Sequence, residues 1–92
     1  MKVSVGFLGI LRDQMGQKSL EVGLPEGADF AEFLRVIAPI IQQKAAWAWD
    51  GTNGRFASRV VVTRKNVPGK IEPGSLLSDG EELVVFPPLA GG

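Results

Sequence analysis

One stretch of this chain carries a helical period clear enough to organise everything around it. Phe30, Phe33, Leu34, Ile37 and Ile41 recur at i, i+3, i+4, i+7 and i+11, a single apolar stripe down one side of a helix. Asp29 stands where an N-cap belongs, and Glu32 follows three residues later, the spacing of a capping box. Pro39 falls inside the pattern and has no backbone donor. The sequence therefore predicts a kink or a stop near Ala38, with residues 40–49 resuming as a second helical piece. A helix with one apolar face needs a partner layer to cover it.

The flanking segments supply that layer. Residues 2–8 (KVSVGFL) are β-rich and partly alternating, and residues 18–24 (KSLEVGL) alternate polar with apolar, so both read as strands, antiparallel to each other. Between them residues 9–15 (GILRDQM) read as a short helix closed by Gly16. Pro25-Glu26-Gly27 ends the second strand. After the main helix, Asp50-Gly-Thr-Asn-Gly54 is a loop, residues 58–64 (SRVVVTR) are a strand, and Pro68-Gly69 and Pro73-Gly74 punctuate the stretch beyond it. Leu76-Leu-Ser-Asp-Gly80 turns into a last strand, residues 82–86 (ELVVF). Trp47 and Trp49 are two residues apart and cannot share a helical face, so at least one is packing material.

Strand, strand, helix, strand, turns, strand is an α+β order, and ββαβ matches a single-domain β-grasp sheet with one main helix on one face. The first and last strands would then lie parallel at its centre, in keeping with their apolar character. At 92 residues the chain is one domain. The expected division is a folded body over residues 1–86 and a flexible tail over residues 87–92.

Composition narrows the chemistry. The chain contains no cysteine and no histidine, which removes disulfides, thiolate nucleophiles, and both the commonest metal ligand and the side chain that titrates near neutrality. The glycines of residues 67–75 lack Walker spacing. No catalytic residue, metal site or bound cofactor is therefore expected, and the function should depend on a partner. Zero net charge argues against nucleic acid, and no apolar run is long enough to span a bilayer. A cytoplasmic location is the expectation. The balance of charge hides a polarity: residues 44–70 hold six cations against Asp50, and residues 71–92 hold Glu72, Asp79, Glu81 and Glu82 without a cation. One reading is ordinary solvated surface; the other is an acidic region that steers toward a basic partner.

The close of the sequence is Phe86-Pro-Pro-Leu-Ala-Gly-Gly92. Two glycines are the residues most costly to order, and they stand behind two prolines that stiffen their approach. Taken with the preceding Asp79-Gly-Glu-Glu-Leu-Val-Val, this segment resembles the C-terminal signature of ubiquitin-like sulfur carriers of the MoaD/ThiS type. It is most similar to the small subunit of molybdopterin synthase. Lys2-Val3 through Phe7 and on to Arg12-Asp13 is similar, more weakly, to the family's first strand and its Arg-acidic pair. Residues 44–56 are longer than in compact members, and Thr63-Arg64 stands where many members carry an Asn-led turn.

The resemblance implies a function. Gly92 would carry a terminal carboxylate that an E1-like (MoeB-like) enzyme adenylates and that becomes a thiocarboxylate. This would then donate sulfur within a synthase whose large subunit is MoaE-like. The chain itself would be the non-catalytic donor. Pro87, Pro88, Leu89, Ala90 and Gly91 would thread the tail into the partner, residues 89–92 reaching about 13–14 Å when extended. Phe86 and Leu89 would be apolar anchors at the docking surface, joined by Phe7 if it faces outward. Other readings are a carrier for thiamin thiazole or another sulfur pathway, a protein modifier joined through Gly92 to lysines, and a plain β-grasp binding module.

Overall fold

The structure is a computed structural model and describes residues 1–88. Its elements are β1 (Lys2–Phe7), α1 (Gly9–Met15), β2 (Ser19–Gly23), α2 (Phe30–Lys44), β3 (Trp49–Asp50), β4 (Arg55–Phe56), β5 (Val61–Arg64) and β6 (Glu82–Phe86). The main sheet runs β2-β1-β6-β5, and β3 with β4 forms a small separate hairpin. β1 is antiparallel to β2 and parallel to β6, with Phe7 beside Val85; β5 returns antiparallel to β6, with Val61 beside Phe86. First and last strands are central and parallel. This is the β-grasp arrangement that the order of elements predicts.

α2 lies across one face of this sheet with Phe30, Phe33, Leu34, Ile37 and Ile41 buried. Alternation does the same for the strands: Val3, Val5 and Phe7 of β1 and Leu83 and Val85 of β6 face the helix. α1 adds Leu11 and Met15 and ends at Gly16, whose φ of 76° is the left-handed C-cap that glycine takes without strain. Among the described residues no polar or charged side chain is buried.

The start of α2 finds acceptors for the donors of its first residues, which a helix leaves open. Phe30 N–H donates to the Ser75 carbonyl at 2.9 Å and Ala31 N–H to that of Pro73 at 3.0 Å. Glu32 N–H donates to Asp29 Oδ1 at 2.9 Å, and Phe33 N–H to the Asp29 carbonyl at 3.2 Å. Asp29 is thus the cap that the sequence predicts. The loop ahead of β6 supplies the other two acceptors and is held to the helix by them.

Three expectations need correction. α2 neither stops nor breaks at Pro39; it continues to Lys44. Pro39 is exposed, as is Arg35, whose carbonyl loses its donor, so water can replace the missing bond. The buried stripe meanwhile extends to Ile41, and burying such a side chain contributes roughly 1.5–3 kcal/mol. The third strand starts at Val61 and not at Ser58, because Val60 N–H closes a turn onto the Ala57 carbonyl at 2.9 Å. And Trp49 is in a strand, not a helix: it packs edge-on against Phe56 at 5.2 Å across the β3–β4 hairpin. Trp47, on the turn before it, is 44% exposed and donates from Nε1 to Gln14. Asp50 anchors the hairpin turn. The side-chain amide of Asn53 above all, then the backbone N–H groups of Asn53 and Thr52 and the charge of Arg55, hold its carboxyl below the usual range.

Pro39 therefore sits in a helix it does not favour. Pro39→Ala should raise stability by about 1–3 kcal/mol, restoring a hydrogen bond and removing the ring clash. A shift of the urea midpoint at constant slope measures it; an unchanged or lower midpoint would show that the ring contributes contacts worth as much.

Candidate functional site

Because β6 is central, the chain beyond Phe86 leaves from the middle of the sheet edge. Pro87 and Pro88 are half-buried, and Pro87 lies against the start of α1, where a Cβ on Gly9 would come within 3.3 Å of its ring. Leu89, Ala90, Gly91 and Gly92, to which the sequence assigns the tail's anchor and its reactive end, lie outside the described residues.

The sheet face away from α2 changes character along its length. At the end where β1 and β6 begin it is charged, with Lys2 paired to Glu21 and Lys65 to Glu82, each at 3.6 Å. At the end where the tail departs it is apolar: Leu8 is 41% exposed, Phe86 40% and Val61 38%. Registry places these three together, since Phe86 pairs with Val61 and the Leu8 N–H donates to the Val85 carbonyl.

Phe86 is thus exposed beside the tail. Phe7 is not: at 1% exposure it belongs to the core, and its assignment as an interface residue does not hold. The reason is parity. Phe7 shares its face with Val3 and Val5, so the outward positions of β1 are Ser4 and Gly6. That parity was legible in the sequence. Leu8 and Val61 were not, because each has an apolar neighbour in sequence, Phe7 beside Leu8 and Val60 and Val62 beside Val61, and no polar residue marks the outward side.

The charge polarity of the sequence also resolves differently in space. Arg64 pairs with Glu81 and reaches the Leu76 carbonyl, Lys65 pairs with Glu82, and Asp79 accepts the Lys2 N–H at 2.8 Å. Antiparallel β5 and β6 bring the basic and acidic segments onto each other. The expected acidic surface is therefore largely spent within the fold.

No family model matches the sequence, and no curated protein matches it. Solved structures do. The archaeal protein SAMP1 from Haloferax volcanii is 20% identical, aligns over 100% of both chains and superposes with a TM-score of 0.78. A protein provisionally named molybdopterin converting factor, subunit 1, from Pyrococcus furiosus is 22% identical over 97% of this chain and 99% of that one, at a TM-score of 0.66. A chain of the BexX/CysO complex from Amycolatopsis orientalis is 24% identical over 98% and 99%, at 0.59. The chain has the β-grasp, ubiquitin-like fold. At these identities the likeness is one of fold.

Burial separates the two aromatics of this region. Phe7→Ala should cost about 3–5 kcal/mol of stability, as expected for a buried Phe. Phe86→Ala should cost far less, since much of its ring is already in water. Chemical denaturation of both variants tests this; equal losses would place Phe86 in the core and remove it from the docking surface.

Proposed function

We propose that this chain is a ubiquitin-like sulfur carrier, acting as the small subunit of a molybdopterin synthase. One observation supports this reading most. The strand that carries Phe86-Pro-Pro-Leu-Ala-Gly-Gly92 is central in the sheet and releases it beside an exposed apolar cluster of Leu8, Phe86 and Val61. A rigid platform, an apolar seat and a small-residue end are the parts needed to deliver a carboxylate into a partner.

In this proposal a carboxylate oxygen of Gly92 attacks the α-phosphorus of ATP in an E1-like enzyme, releasing pyrophosphate. Hydrosulfide released by the partner system then attacks the acyl carbon: the new C–S bond forms as the C–O bond to AMP breaks, AMP leaves, and the thiocarboxylate that remains serves as sulfur donor in the large synthase subunit. Gly91 and Gly92 have no Cβ, so the tail can pass where only backbone fits. Pro87 and Pro88 limit the entropy lost when it is ordered. Without cysteine or histidine, the chain leaves acid–base and thiol chemistry to its partners. The likeness to SAMP1, described as a small archaeal modifier protein, supports a second use of the same end, an isopeptide bond from Gly92 to a lysine.

Intact-mass analysis after incubation with an E1-like enzyme, ATP and a sulfur source should show one oxygen exchanged for sulfur. Deleting Gly92 should abolish this while leaving the melting temperature unchanged. Gly91→Val should slow adenylation strongly, because a branched side chain fills the channel and forbids positive φ. Ala90→Ser should remain close to wild type. Full activity of the Gly92 deletion would overturn the assignment of the reactive end; wild-type rates for Gly91→Val would overturn threading.

A further inference from the structure

The outer face of the sheet contains a hollow of about 310 Å³, lined by Gly6, Leu8 and Val84 together with the cations Arg12, Lys18 and Lys65 and the anion Glu82. Gly6 creates it. The residue sits inside β1, opposite Ser19 on one side and Val84 on the other. Its backbone is ordinary strand, without the positive φ that would require glycine. A Cβ there would stand 3.8 Å from the Leu83 carbonyl oxygen and 3.9 Å from that of Lys18, which is normal contact. Neither backbone conformation nor crowding at Cβ demands a glycine, and glycine weakens a strand interior. What the glycine does is keep this face open.

The charge beside the hollow is uncompensated. Lys65 is paired with Glu82, but the exposed side chains of Arg12 and Lys18 have no hydrogen bond or ion pair among the described residues. The hollow is also continuous with the apolar seat, since Leu8 belongs to both. A small anion would use the cations alone. A protein surface would use all three features: the cavity, the cations and the apolar cluster.

Building on the carrier reading, we propose that the hollow over Gly6 receives a bulky apolar side chain of the partner that takes up the C-terminal tail, and that Arg12 and Lys18 meet carboxylates of that partner beside it. The partner's matching surface is then an apolar knob bordered by Asp or Glu. The sign is opposite to the one that the acidic end of the sequence advertises.

The test measures binding of the intact chain to an E1-like adenylating enzyme by calorimetry, with adenylation followed in parallel by intact mass. Gly6→Val should bind about tenfold more weakly or worse, as for an obstructed central contact, and melt at the same or a higher temperature. A merely structural residue would not separate those two readouts in that direction. Gly6→Ala, which fills little of the hollow, should stay close to wild type. Arg12→Glu with Lys18→Glu should weaken binding comparably and flatten its dependence on salt. Wild-type affinity in both Gly6→Val and the double charge reversal, with adenylation intact, overturns the hollow and leaves the carrier reading standing. Loss of affinity in these variants, with no adenylation even of the wild type, upholds the hollow and overturns the carrier reading. A wild type that neither binds nor is adenylated overturns both.

Discussion

The parallel pairing of β1 with β6 is the constraint on which the rest of the structure depends. It joins the two ends of the chain at the centre of the sheet, with Ser4 opposite Glu82 and Phe7 opposite Val85. Parallel neighbours cannot be joined by a tight turn, so all the chain between them must be accommodated as crossover. α2 covers the sheet along that route. The loop returning from β5 is not idle chain: its Pro73 and Ser75 carbonyls cap α2, and Leu77 N–H donates back to the Ala28 carbonyl at 3.0 Å. Gly80 N–H then meets the Lys2 carbonyl at 2.7 Å and sets the register in which β6 begins. Opening the β1–β6 ladder would expose Val5, Phe7, Leu83 and Val85 together, so this region belongs with the most stable part of the molecule. The platform from which residues beyond 86 depart is accordingly the rigid one.

What could be read from the sequence was whatever depends on local period or local stereochemistry. The stripe of α2, its Asp29 cap, the left-handed Gly16 and the bounds of β6 all follow from residues within a few positions of each other. What was not legible required knowing which surface faces water. Pro39 reads as a helix breaker until its carbonyl partner is found on the exposed side. The two-residue strands around Trp49 and Phe56 have no sequence period, and they form because the Asp50 turn and the edge-on ring pair hold them together. The charges mislead for a related reason. Counted along the chain, Arg64 and Lys65 are far from Glu81 and Glu82, and only strand pairing makes them neighbours. Of the candidate site, Phe86 lies at the end of β6 with 40% of its surface exposed. Phe7 faces the core by one step of alternation, and the glycine beside it carries no side chain to give a signal in the sequence.

The two faces of the sheet answer to different requirements. The face under α2 accounts for stability: among the described residues it holds no buried polar side chain, and it is built from the interiors of four strands and two helices. The opposite face is expected to be polar in an antiparallel or mixed sheet open to water. At one end it meets that expectation, through Lys2, Glu21, Lys65 and Glu82. At the other it does not. Leu8, Val61 and Phe86 each keep about two-fifths of their surface in water, a contiguous apolar patch of the kind that marks interaction sites.

Gly6 extends the same reasoning to an absence. A Cβ at that position would fit the backbone and the space, so neither demands the glycine. Three exposed apolar side chains and one missing side chain, none of them required by the core, fall on one face at one end of the sheet. That end is also where the prolines lead the chain away from the body. Single exposed apolar side chains such as Leu76 and Val67 are ordinary on a protein surface; these three and the glycine differ in being contiguous. Their contiguity, more than any single side chain, is what makes this face a docking surface in the proposed carrier and the opposite face its support.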